Sequence, residues 1–186
     1  MVLRQSAGIL LFRRSPAAGG DRHGLEVLLA HPGGPFFATR DEGHWTIPKG
    51  EPDDADEDLL AVARREFAEE VGHAAPAQQP DGRPPLALGS IVQKGGKVVH
   101  AWAVEGDLDP ATAVSNAFEM VWPPRSGRIQ TFPEIDRVAW FEPGEAARRL
   151  KPTQVPFVER LVGLVDAPGS DLADATAASA ANRDGS

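Results

Sequence analysis

The sequence predicts an α+β layer sandwich, and three observations predict it. Short apolar runs at Ala7–Phe12 and Leu25–His31 read as strands. A helix-favouring segment, rich in acid and free of Gly and Pro after Pro52, then runs up to Gly72. Beyond it, strand-like runs at Leu86–Gln93, Lys97–Gly106 and Arg137–Phe141 are followed by helical ones at Pro143–Leu150 and Gln154–Val165. Strands and helices in such blocks must bury their apolar faces against one another as layers.

Taken in order, AGILLF at Ala7–Phe12 is a buried strand that stops at Arg13-Arg14. Ser15–Gly24 is turn-rich and reads as a flexible loop before the second strand. His31–Gly43 is a long loop holding Phe36 and Phe37, which either stack on a base or pack locally. Trp45 is expected in the core, and Thr46-Ile47-Pro48 leads into Lys49-Gly50. Glu51–Asp58 holds six acids in eight residues. Most complement a helix dipole, with Asp53, Asp54 or Asp56 as the cap and Glu57 in the first turn. Leu60, Ala63, Phe67 and Val71 recur at helical spacing and form the stripe to be buried.

After Gly72, His73–Pro85 carries four prolines and must be irregular. Lys94-Gly95-Gly96 is a hairpin turn between two strands, because glycine supplies the positive φ such turns need. His100 is expected to be structural. Asp107–Thr131 is a long excursion in which Ala117–Trp122 reads as a strand and Pro123–Arg128 as a turn. Arg125 and Arg128 on that turn are surface charges or phosphate contacts. Val155, Val158, Leu161, Val162 and Val165 give the last helix an apolar stripe that would cover the sheet. One domain is therefore expected over residues 1–166, and a flexible tail rich in Ala, Ser and Asp over 167–186.

Composition narrows the function classes. The 186 residues contain no Cys, so no disulfide framework, thiolate metal site or Cys nucleophile is available. No apolar run approaches membrane-spanning length and no signal peptide is recognised, which sets the expectation of a cytoplasmic protein with no membrane partner. A net charge of −8 argues against a nucleic-acid polymer as partner. A small anionic substrate would need metal and local basic residues to overcome that field.

The chemistry concentrates in Pro48–Gly72. At 100° per residue, Glu66, Glu69 and Glu70 fall within about a quarter turn of helix, beside the apolar stripe. Such like charges repel. Either the face is simply solvated, or a hard divalent cation with a taste for carboxylate oxygen offsets the repulsion. Gly50 before the helix, Glu57, Arg65 next to Glu66, and the terminating Gly72 favour the cation.

This segment resembles the signature of the Nudix hydrolases (MutT-like nucleoside diphosphate-X pyrophosphohydrolases), G-x5-E-x7-R-E-U-x-E-E-x-G-U, with U a bulky apolar residue. Glu57, the seven residues to Arg64, and Arg65-Glu66-Phe67-Ala68-Glu69-Glu70-Val71-Gly72 match in order and spacing. Gly50 stands one residue too far from Glu57, which questions the place of its carbonyl, and His73 replaces the final apolar residue. The resemblance implies a Nudix-type α/β/α sandwich, with a mixed sheet between helices, over residues 7–165.

It further implies hydrolysis of a diphosphate bond, with Mg²⁺ (or Mn²⁺) held by Glu66, Glu69, Glu70 and the Gly50 carbonyl, and Glu57 supporting the metal site. Such ions bind phosphate oxygens and activate water. Arg65 would hold a catalytic Glu in place, where its bland reading is an i,i+4 partner of Glu69. Glu134, just before the strand Arg137–Phe141, is a fourth carboxylate, and Glu66 and Glu134 both remain candidates for the proton acceptor. Lys49 is either a phosphate-binding charge or a solvated one. The Ile47-Pro48-Lys49-Gly50-Glu51 lead-in resembles that of dinucleoside polyphosphate and diphosphoinositol hydrolases, so a nucleotide or polyphosphate is the expected small-molecule partner, with a homodimer left open. The rival readings are a non-catalytic nucleotide-binding or regulatory module on the same fold, and a structural acidic helix with no metal dependence at all.

Overall fold

The computed structural model describes residues 4–16, 23–54 and 57–166. Its strands are β1 (Gln5–Pro16), β2 (His23–Pro32), β3 (Lys49–Gly50), β4 (Leu86–Val92), β5 (Val98–Glu105), β6 (Ala117–Val121), β7 (Ile129–Pro133) and β8 (Ile135–Phe141). Its helices are α1 (Leu59–Val71), α2 (Pro143–Arg149) and α3 (Val155–Val165). The main sheet runs β4-β5-β1-β2-β8, with β3 added beside β1. β1 pairs parallel with β5 and antiparallel with β2 and β3, so the sheet is mixed.

Period-two alternation along β1 divides the core between two faces. Ala7, Ile9 and Leu11 join Leu28 against Val62, Ala63, Phe67 and Val71 of α1. Leu10, Phe12 and Leu29 join Trp45 against Ala146, Phe157, Val158 and Leu161 from the last two helices. A sheet buried on both sides by helices is the expected sandwich, and Trp45 lies in its core at 2 % exposure. No helix among the described residues is long and apolar enough to cross a membrane.

Several boundaries differ from the sequence reading. Ser15 and Gly24, expected in a loop, extend β1 and β2 as a registered pair. The ladder outlasts the apolar run because Arg13, opposite Glu26, makes a 2.8 Å ion pair across it. Residues 17–22 of that loop, and the tail expected at 167–186, lie outside the described residues. α1 begins later than expected. Asp58 caps it by accepting the Ala61 N–H at 3.1 Å, so neither Asp53 nor Asp54 is the cap and Glu57 precedes the first turn. Asp56 falls outside the described residues. The buried stripe rotates accordingly: Val62 is buried, while Leu60 is half-buried.

The strand expected at Ala117–Trp122 is β6, and its partner β7 went unread because Gln130 and Thr131 mask its alternation. The two form a separate hairpin off the main sheet.

Candidate active site

The site is built where β3 passes between β1 and α1. β1 offers no side chain at Gly8, where a Cβ would lie 2.6 Å from the Pro48 oxygen and 2.7 Å from the Lys49 Cβ. That absence admits Lys49 and Gly50 to the ladder opposite Gly8 and Ala7. Ser6 then donates its hydroxyl to the Gly50 carbonyl at 2.7 Å and fixes its direction. Gly50 is needed for a second close approach: a Cβ there would meet Glu66 Oε2 at 1.8 Å.

Two of the three clustered carboxylates turn inward over this strand. Glu70 Oε2 accepts the Lys49 backbone N–H at 3.0 Å, and Glu66 lies against Gly50 one turn earlier. Glu69 does not join them. Its side chain is 43 % exposed and meets Arg65 only at 3.7 Å. The charge of Glu69 still acts on Glu66, and Glu134, from the β7–β8 connection, adds a fourth acid whose charge acts on both Glu66 and Glu70.

Arg65 is the hub of the acids. Nη1 donates to Glu66 Oε1 at 2.8 Å, while Nη2 lies 3.6 Å from both Glu57 and Asp53 and donates to the Glu51 carbonyl at 3.2 Å. Burial works against the guanidinium charge, but Glu66, Asp53, Glu57 and Glu69 together hold it above its ordinary range. Glu57 also accepts the Asp53 N–H at 3.0 Å, closing the loop that carries the extra residue.

Burial pushes Glu70 up to about 7, against the pull of Lys49, with Glu66 and Glu134 adding to the rise. Glu66 is raised too, chiefly by burial, with Arg65 opposing and Glu69 and Glu134 adding. Lys49 is lowered to about 8 by burial, while Glu70 raises it and Lys151 and Lys97 lower it further. Lys151 is lowered by burial and by Lys97, against Glu70. Lys97 bonds Glu51 at 2.7 Å, and Arg4 bonds the same oxygen. Sequence reasoning singled out Lys49 but missed Lys97 and Lys151. They come from the β4–β5 hairpin and the turn after α2, and nothing in their local sequence marks them.

Arg125 and Arg128 are not brought to this cluster. They occupy the exposed β6–β7 turn, and among the described residues neither forms an ion pair. Phe37 packs on His44 at 6.3 Å between ring centres, whereas Phe36 is 56 % exposed and meets Trp122 edge-to-face at 5.3 Å.

The donor set suits a hard cation, since Glu66, Glu70, Glu134, Glu69 and the Gly50 carbonyl are all oxygen ligands. Burying like charges together leaves Glu66 and Glu70 in need of a counter-charge, which is the condition a divalent ion relieves. Among the described residues no three acidic or imidazole groups already stand closed as a metal cage. Glu66 and Glu70 are held instead by Arg65 and the Lys49 amide.

A family model described as "NUDIX domain" matches residues 1–161. Among curated proteins, none matches the chain. Solved structures do. A Caenorhabditis elegans Ap4A hydrolase in a binary complex is 20 % identical, with a TM-score of 0.56 over 86 % of this chain and 97 % of that one. The NUDIX domain of Shewanella oneidensis NrtR, complexed with ADP ribose, is 16 % identical, with a TM-score of 0.55 over 89 % and 90 % of the two chains. A mutT/nudix family protein from Listeria innocua is 15 % identical, with a TM-score of 0.56 over 89 % and 96 %. At such identities the likeness is one of fold.

Proposed function

The chain belongs to the NUDIX domain family, whose enzymes are pyrophosphohydrolases, and from that premise we propose that it cleaves a diphosphate bond in a nucleoside diphosphate-linked or polyphosphate substrate. The observation that carries this reading is the placing of Glu66 against Gly50 and of Glu70 on the Lys49 amide, with Glu134 acting on both acids and the charges of Lys49 and Lys151 acting on Glu70. Carboxylates alone would repel a phosphate chain, and lysines alone would bind it without activating water. Their juxtaposition supports both tasks.

In this mechanism the lysines bind and orient the phosphates as point charges. Glu66, Glu70, Glu69 and the Gly50 carbonyl would hold Mg²⁺ or Mn²⁺, which supplies Lewis-acid stabilisation of phosphate charge and a more acidic water. Arg65 keeps Glu66 aimed at Gly50, and Glu57 keeps Arg65 and the preceding loop in place. A carboxylate takes the proton of the attacking water, and both Glu66 and Glu134 lie where that role is open. The P–O bond of the anhydride breaks as the water oxygen bonds phosphorus, and the leaving phosphate departs into the lysine field. Arg125 and Arg128 retain a role only toward the distant end of a long substrate.

The test is phosphate or nucleotide release from dinucleoside polyphosphates, nucleotide sugars and triphosphates, with and without Mg²⁺, for wild type, Glu70→Gln, Glu66→Gln and Glu134→Gln. Metal-dependent release abolished by Glu70→Gln is expected. Release that survives Glu70→Gln and Glu66→Gln alike refutes the site. The weaker of Glu66→Gln and Glu134→Gln at saturating metal names the proton acceptor.

A further inference from the structure

The β6–β7 hairpin is unexplained by the chemistry above. None of its residues is buried. One face presents a half-buried row of Phe118, Met120, Trp122 and Phe132, with Phe118 and Phe132 paired across the strands. A two-stranded sheet off the main sheet is marginal by itself in water. This one is anchored at its root to the carboxylates. The Asn116 N–H donates to the Glu69 carbonyl of α1 at 3.1 Å, and the Glu134 N–H donates to the Asn116 carbonyl at 2.8 Å.

The loop bearing Phe36 docks on the same root. The Gly33 N–H donates to the Glu134 carbonyl at 2.8 Å. A Cβ on Gly33 would lie 2.0 Å from the Pro133 oxygen, and one on Gly34 3.0 Å from the Phe118 ring, so only glycine lets loop and hairpin close together. The loop is pinned at its ends as well, because the ring of His31 bridges the Asp136 carboxylate and the Arg40 carbonyl at 2.8 and 2.6 Å. Phe36 thus stands three residues along a loop whose root is bonded to the Glu134 backbone.

We propose that Phe36, backed edge-on by Trp122, is the stacking platform for the nucleobase of the substrate. This deepens the hydrolase reading and rests on it. The pair holds a nucleotide, in preference to a base-free polyphosphate, with its phosphates against Glu66, Glu70 and Glu134. An edge-to-face pair leaves one ring free for a planar guest, and Phe36 is more than half exposed. A base is uncharged and aromatic, so it is suited to an apolar shelf on a protein of net charge −8.

The test is calorimetric binding of ADP and of inorganic pyrophosphate, in Mg²⁺, to wild type, Phe36→Ala, Phe36→Leu, Phe36→Trp and Trp122→Ala. Expected is an ADP affinity above that of pyrophosphate, reduced about tenfold by the Ala and Leu variants and kept by Phe36→Trp. Pyrophosphate binding should be unchanged throughout. Equal losses for both ligands, no loss for ADP, or full ADP affinity in Phe36→Leu overturns the platform. So does a wild-type dimer on gel filtration that Phe36→Ala dissociates with ADP affinity intact, since the surface then belongs to a second copy. The hydrolase reading fails separately, if wild type shows no Mg²⁺-dependent hydrolysis of any diphosphate, whichever way ADP binds.

Discussion

Lys49 holds Glu70 through two different groups: its backbone N–H donates to Oε2 at 3.0 Å, and its ammonium charge opposes the upward push of burial on the same carboxyl. Strand β3 and helix α1 are therefore joined at one pair of residues, where structure and charge are set together.

That pair predicts a pH dependence. Glu70 rises from 4.5 to about 7 on folding, so its stabilising contribution is whole below 4.5 and is lost as pH climbs toward 7. Lys49 falls from 10.5 to about 8, so its contribution is whole above 10.5 and is lost as pH drops toward 8. The metal-free protein should lose melting temperature between about pH 5 and 7 relative to Glu70→Gln, whose curve lacks this component. Identical slopes for the two proteins would remove the buried acid from the account.

Gly50→Ala should nearly abolish turnover. The new methyl lands 1.8 Å from Glu66 Oε2 and 2.0 Å from its Cδ, so either Glu66 swings away or β3 leaves β1. Overpacking of this kind costs about 1–3 kcal/mol of stability. Denaturant unfolding beside an activity assay checks both, and a variant with wild-type kcat would show that the close approach is dispensable.

Arg65→Lys should lower turnover about a hundredfold, because an ammonium cannot span Glu66 at 2.8 Å together with Glu57 and the Glu51 carbonyl. Arg65→Ala should lower it further and leave a protein that Mg²⁺ stabilises more than it does wild type, since the cation then neutralises acids no longer paired. Melting curves over a Mg²⁺ titration measure this. Equal metal-induced shifts in the two proteins would contradict the hub.

Gln154→Leu tests how the approach to the site is held. The Gln154 side chain is fully buried and accepts the Ile47 N–H at 3.0 Å while meeting the Thr46 hydroxyl. Leucine leaves that N–H unpaired, at a cost of about 1–3 kcal/mol. Raised KM with little change in kcat is expected, because Lys49 lies two residues beyond Ile47. An unaltered unfolding midpoint would show the bond to be idle.

The strands β1, β2, β5 and β8, the acidic helix and the sandwich were legible because each carries a period that burial enforces. Phe67 and Val71 lie where the helical stripe put them. The inward turn of Glu66 and Glu70 was not legible as distinct from the outward turn of Glu69. All three share one arc, and what separates them is Gly50 and the Lys49 amide arriving from another element. Asp58 as the cap was hidden among six acids of similar capping chemistry. β7 was hidden because Gln130 and Thr131 break its alternation, whereas Phe118 and Met120 mark its partner β6. Lys97 and Lys151 were invisible for a third reason, since long-range pairing of the chain gathers them and local sequence does not.

Gln154 also sets the order of assembly during synthesis. It stands 107 residues after Ile47, the residue whose amide it accepts. A nascent chain emerging from the ribosome therefore carries the whole acidic helix, the glycine strand and both hairpins before the segment that pins Thr46 and Ile47 exists. Until residue 154 is free, the Ile47 amide lacks its buried acceptor, while the Thr46–Ala30 bridge and the β1–β3 ladder already hold its flanks. Closing of the lead-in to Lys49 should thus come late in translation, as one of the last events in the making of the molecule.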